Sequence, residues 1–267
     1  MSVSIDHARL TASLFAVAPV IAGQGHFDDR ASATRYWRGL YTTIELAQSV
    51  SVDGYWLNYR NDRSVFDQGV GKEDRDTLGF RFFGARGKWS WNWEAMVQRG
   101  YFSGHTIRAW SFASETSYRF PGRPEPTLRL RANFASGDKN PNDSQLNTFN
   151  PLFPKGKYFG ALSPIGPYNL VNLHPSVTLN FGKGVKLYLS GSAYWRASLA
   201  DGVYGVSGQI LRRAGSSQAR SVGSRFETAA GWQIDSALSL AASFSLFTPG
   251  HFIKDDLPPL TPRERYT

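Results

Sequence analysis

Residues 88–98 read "KWSWNWEAMVQ", and the alternation in this stretch decides the fold. Trp89, Trp91, Trp93, Ala95 and Val97 fall on one face of an extended chain. Ser90, Asn92, Glu94, Met96 and Gln98 fall on the other. Successive side chains of a strand point to opposite sides, so a period of two with one apolar set is a strand with one wet face. The same pattern recurs outward along the chain. "TLRLRANFA" (127–135) sets Leu128, Leu130, Ala132 and Phe134 against Arg129, Arg131 and Asn133. "VKLYLSGSAYWR" (185–196), "SRFETAAGWQI" (224–234) and "ALSLAASFSLF" (237–247) repeat it.

Eleven candidate strands follow, at 8–18, 35–47, 49–60, 75–86, 88–99, 105–120, 126–136, 170–181, 185–196, 222–234 and 237–247. Long connections are expected at 19–34, 61–74, 137–169 and 197–221, and short turns join the rest. The predicted strands are longer than the five or six residues typical of a sandwich. Aromatic residues mark strand ends: Trp37, Trp89, Trp110, Tyr118, Trp195 and Trp232. Strands of about ten residues, short turns at one rim, long loops at the other and aromatic girdles are the pattern of an antiparallel transmembrane β-barrel. A soluble carbohydrate-binding β-sandwich shares the alternation, and would use Trp89, Trp91 and Trp93 to stack sugars. No apolar run approaches the ~20 residues of a membrane-spanning helix. The longest, Leu14–Ala22, contains Pro19.

The chain has no cysteine, which excludes disulfides and thiolate chemistry. Its net charge of +9 favours an anionic partner. Nucleic acid is not that partner, because Lys and Arg are spread singly through alternating strands and no recognition motif is present. His7, His26, His105, His174 and His251 have no metal-ligand spacing. "DKNPND" (138–143) begins like a calcium loop, but Asp143 and Phe149 stand where glycine and glutamate are needed. It reads as an Asn/Asp turn. Neither a nucleophile elbow nor a phosphate loop occurs. The expectation is a protein without metal or cofactor that is not an enzyme.

Two long stretches carry a resemblance. "SGDKNPNDSQLNTFNPLFPKGKYFG" with "GPYNL", then "YWRASLADGVY", is similar to the alginate export family of outer-membrane β-barrels. "LFAVAPVIA", "HFDD", "YWRGLYTT" and "SLFTPGHFI" fit the same pattern. The most specific parts are Gly137–Asp138, Thr148 to Pro154, Asn169–Leu170, Trp195–Arg196 and Asp201–Tyr204. The resemblance implies a single barrel domain over 1–267 in the outer membrane. It implies passage of an anionic exopolysaccharide through an electropositive pore, with outer-membrane lipid and periplasmic export machinery as partners. It also makes 137–169 an ordered loop folded over or into the lumen. Asp138 belongs to that loop, and Phe149, Leu152 and Phe153 pin it to the wall.

Eleven is an odd count, and the chain stops at "RERYT" without a closing aromatic strand. The expectation is a partial barrel that does not close a conducting pore alone. Residues 1–25 read as a strand or as a signal peptide. By the alternation, Arg81, Arg119, Arg129, Arg131, Lys186, Arg196 and Arg225 point into the lumen, joined by Glu94, Glu115 and Glu227. Seven basic against three acidic residues favour passage of anions. A general anion or small-solute porin would use the same lining. Arg196 and Asp201 are an expected rim ion pair.

Overall fold

In the computed structural model, which describes residues 2–21, 25, 27–152, 154 and 163–254, the alternating segments are strands almost throughout. In chain order they are β1 (Ser2–His7), β2 (Leu10–Val17), β3 (Val20–Ile21), β4 (Arg30–Ala31), β5 (Arg35–Ala47), β6 (Val50–Phe66), β7 (Gly69–Arg86), β8 (Trp89–Phe102) and β9 (His105–Arg119). There follow β10 (Glu125–Ala135), β11 (Gln145–Leu146), β12 (Leu170–Gly182), β13 (Val185–Arg196), β14 (Val203–Tyr204), β15 (Ile210–Arg212), β16 (Ser221–Gln233) and β17 (Ser239–Pro249). A short helix, α1, covers His251–Lys254.

One sheet runs β1-β2-β5-β6-β7-β8-β9-β10-β12-β13-β16-β17, each neighbour antiparallel to the next. β11 adds a thirteenth strand, parallel to β9. Among the described residues β1 and β17 do not pair, so the barrel wall is open between them. The path therefore has twelve strands rather than eleven. Residues 2–7 supply the additional one, as half of a hairpin with β2, so this stretch is strand. The hairpins β3–β4 and β14–β15 lie within the connections expected at 19–34 and 197–221.

The expected long loop at 61–74 is not one. β6 and β7 stay paired up to Phe66↔Gly69, with a register shift between Asn61 and Ser64. The physical reason is position. Above the lipid the outward face need not be apolar, so the alternation that marks a strand in sequence fades while the hydrogen-bond ladder continues.

The two faces differ as the alternation requires. Outward side chains form an apolar band over which nothing packs among the described residues; Phe80 is 55% exposed and Leu130 50%. Trp89 and Tyr118 meet at one edge of the band, with ring centroids 4.7 Å apart. Trp110 stacks on Phe134 at the other, at 4.3 Å. Trp37 is the exception among the expected girdle residues. It pairs with Tyr59, on the inner face, and packs on Phe15. Among the described residues the main sheet has no second layer of strands packed face to face on it, which removes the sandwich reading, and Trp89, Trp91 and Trp93 sit in the lipid-facing band rather than on a sugar platform.

The buried apolar cluster is not central. It sits inside the rim that carries the long connections, and includes Phe66, Phe102, Ile107, Phe149, Ile165, Leu170, Tyr204 and Phe252. The band itself must be covered by lipid, since each large side chain left in water forgoes roughly 1.5–3 kcal/mol. The chain is therefore expected to fold only in detergent or bilayer. A cooperatively folded, soluble monomer in plain buffer would contradict this.

Candidate functional site

Cross-strand register assembles the inner-face charges into rows. One row runs Asn92, Glu115, Arg131 and His174 across β8, β9, β10 and β12. It continues on β13 and β16 with the directly paired Ser192 and Arg225. Glu115 bridges two arginines: Arg131 Nη2 lies 2.5 Å from Oε2 and Arg129 Nε lies 3.2 Å from Oε1. Arg225 Nη1 lies 3.0 Å from Glu227 Oε2. The Tyr188 hydroxyl approaches His174 Nε2 at 3.3 Å.

A second group lies on β5–β8. Asp53 accepts hydrogen bonds from Tyr41, from Thr43 at 2.7 Å and from Arg81 Nη1 at 3.2 Å. Arg81 Nε also donates to Asn92 Oδ1 at 2.7 Å. Tyr55 donates to Glu94 Oε1 at 2.5 Å. To reach it, the Tyr55 ring lies across Gly79, where a Cβ would fall inside the ring. Arg119 and Lys186 share the inner face closer to the short turns. They are exposed and make no ion pair among the described residues. Among the cations expected from the alternation, the two without an ion pair thus sit at the short-turn mouth and the middle of the wall carries paired charges, while Arg35 and Arg63 line a cavity at the opposite rim.

Arg196 is also on this face, but its guanidinium is committed to the rim. It donates to the carbonyls of Leu199 (2.9 Å), Ser217 (2.8 Å) and Ala219 (2.6 Å) and lies 3.8 Å from the Phe252 ring centroid. The expected Arg196–Asp201 ion pair is replaced by a 3.4 Å contact to the Asp201 main-chain oxygen. The Asp201 carboxylate instead accepts from Thr148 Oγ1 (2.6 Å), Asp138 N (2.8 Å), Tyr204 Oη (2.7 Å) and its neighbour Gly202 N (2.8 Å).

These bonds fasten the loop. Asn169 Nδ2 donates to the carbonyls of Ser198, Asp201 and Gly202. Gly137 leaves room for the Asn169 side chain, which a Cβ would strike. Arg75 Nη1 donates to Thr148 O at 3.1 Å, and Gln98 holds both the N–H and the carbonyl of Asn150. Phe149 is buried in the cluster and Leu152 is buried nearby; Phe153 lies outside the described residues. Asp143 Oδ1 accepts Gln145 N–H and Asn140 Oδ1 accepts Asn142 N–H, which makes 138–143 an Asx-turn segment. Gly137, Asp138, Thr148, Asn169, Arg196, Asp201 and Tyr204, scattered in sequence, thus meet at one knot. Beside it a cavity of about 810 Å³ is lined by Arg35, Tyr59, Arg63, Asn150 and Tyr168.

Asp53, Tyr55, Glu73, Arg75, Gln98 and His174 were not among the candidates from sequence. The alternation of β6 contained the signal for the first two, since Asp53 and Tyr55 oppose Val52, Gly54 and Trp56. Glu73 and Arg75 were hidden at the fading end of β7.

Burial raises the Asp201 carboxyl from 3.8 to about 6, against the donors that surround it. Burial also raises Asp138. A raised acid favours its protonated form in the folded state. Its contribution is fully present below about pH 4 and is lost as pH rises toward 6. The gap corresponds to about 3 kcal/mol for Asp201. Hydrogen exchange in 137–152 and 198–205 is expected to be slower at pH 4.5 than at pH 7.5 once intrinsic rates are divided out, and Asp201→Asn should flatten the difference. Faster exchange at the lower pH would contradict the assignment.

A family model described as "Alginate export" matches residues 2–263. No curated protein matches the chain. Among solved structures, OccK11 (OpdR) of Pseudomonas aeruginosa is similar over 93% of this chain and 74% of that one, at 13% identity and a TM-score of 0.48.

Proposed function

Because the chain belongs to the alginate export family, we propose that its inner face conducts an anionic polysaccharide, a polyuronate, outward from the periplasm. The family places the chain in the outer membrane as part of a β-barrel channel. The observation that carries the finer reading is the arrangement of cations along the inner face. Arg119 and Lys186 stand exposed near the short turns, and bacterial barrels have their short turns on the periplasmic side. A polyuronate arriving there meets these two first, then the partly exposed Arg129 and Arg131 farther along the wall, whereas Arg225 is buried beside Glu227 and does not reach the lumen. The planar guanidinium fork suits successive carboxylates. The carboxylate of Glu115 already occupies part of the Arg129 and Arg131 forks, so each contact is weak enough to exchange, which conduction requires. Residues 137–152 pack inside the far rim, and periplasmic export machinery would deliver the polysaccharide.

The test is binding to the full chain in detergent micelles, comparing a uronic-acid oligomer with its carboxyl-reduced neutral counterpart. The acidic form is expected to bind at least about tenfold tighter, with affinity falling steeply as salt rises. Equal affinity for the two would refute a polyuronate path and leave a small-solute porin.

A further inference from the structure

Above the apolar band, the outward face carries arginines that the transport path does not use. Arg99 on β8 and Arg108 on β9 are directly opposite each other across the strand pair. Both are exposed. Gln98, Ile107 and Ala109, their chain neighbours, are buried on the inner side, so both arginines point outward. Neither makes an ion pair among the described residues. The acid nearest in register, Asp76 opposite Arg99, has Oδ1 engaged by Trp56 Nε1 at 2.9 Å and Asn58 Nδ2 at 3.2 Å. Like charges directly opposite in a sheet are destabilising unless an anion bridges them.

The surface beneath is apolar. Val97 and Trp110 pair one row closer to the membrane, and Trp110 stacks on Phe134 with planes 13° apart. Tyr101, 65% exposed, stands one outward row above Arg99. This edge of the band lies at the rim with the long connections, the outer side of a bacterial barrel. A ligand matching the surface has an anionic head at the level of the arginines and acyl chains against Val97, Trp110 and Phe134. Two adjacent guanidinium groups above a hydrocarbon-facing aromatic stack fit a phosphate better than a single carboxylate.

We infer that Arg99 and Arg108 bind a phosphate of a phosphorylated glycolipid in the outer leaflet, whose acyl chains lie on Val97, Trp110 and Phe134. Such a lipid removes the repulsion between the arginines and sets the depth at which this part of the wall sits in the membrane.

The test uses the full chain in detergent micelles with three probes: diphosphorylated lipid A, the same lipid after removal of its phosphates, and inorganic phosphate. The phosphorylated lipid is expected to bind at least roughly tenfold tighter than the dephosphorylated one. Arg99→Gln with Arg108→Gln should abolish that preference. Arg86→Gln with Lys88→Gln, an equal charge loss at the opposite rim, should preserve it. Equal affinity of the unchanged protein for the two lipids would overturn the inference, and that comparison does not depend on any variant folding. Inorganic phosphate binding as tightly as the phosphorylated lipid would overturn it too, as would an equal loss of preference in the opposite-rim variant.

Discussion

Replacing Arg75 with Met is expected to release the 137–169 loop from the inner wall. Arg75 and Glu73 are both fully buried, with Nε 2.5 Å from Oε1. Arg75 also donates to Gln98 Oε1 at 2.7 Å and to the Thr148 carbonyl, and lies 5.5 Å from the Phe66 ring centroid. Methionine fills much of the volume but leaves Glu73 as a buried carboxylate with the Ser64 hydroxyl and the Asn150 amide as its donors among the described residues. Breaking a buried pair from one side costs about 3–5 kcal/mol, because the remaining charge keeps its desolvation penalty without its partner. If loop opening exchanges quickly, protease cleavage within the loop should rise on the order of 10²–10³-fold. Removing the stranded charge as well, in Arg75→Met with Glu73→Gln, should recover most of the loss. A double variant as labile as the single one would show that the pair is not what holds the loop.

Arg129→Glu combined with Arg131→Glu carries the largest functional effect. The two side chains share a face of β10 and both reach Glu115. That trio changes from a net charge of +1 to −3, counted from these three side chains. The side chains are partly exposed to the lumen, at 41% and 28%, so water limits the cost to the fold. Charges a few ångströms apart interact at about 1 kcal/mol per pair in water and up to about 4 where water is partly excluded. Oligouronate binding at low salt is expected to fall at least about a hundredfold, and a conducting barrel that includes this wall should shift from anion toward cation preference. His174, directly opposite Arg131, gains an acidic neighbour in the variant. Unchanged oligouronate binding in an assembled double variant would remove the pair from the transport path.

The alternation in 88–98 and its repeats determined, without any structure, that this is a strand-built wall and which face of each strand is apolar. It did so because the pleat imposes a period of two that any short window reveals. It placed Arg129, Arg131 and Glu115 together on the inner face, and the cross-strand pairs then followed from register. The same signal failed at 61–74, since β6 and β7 rise beyond lipid and no solvent difference forces one face to be apolar. Tertiary structure alone decided what each charge is for. Arg196 and Arg129 look alike in sequence, each on the polar face of an alternating strand. Only the folding of 197–221 over the rim puts carbonyl oxygens around Arg196 and turns it into an anchor. Asp138, Thr148, Asn169 and Asp201 lie far apart along the chain, and no local period connects them. Their meeting depends on one loop descending into a wall built from distant strands, where a buried polar group must find its partner or forfeit its desolvation energy.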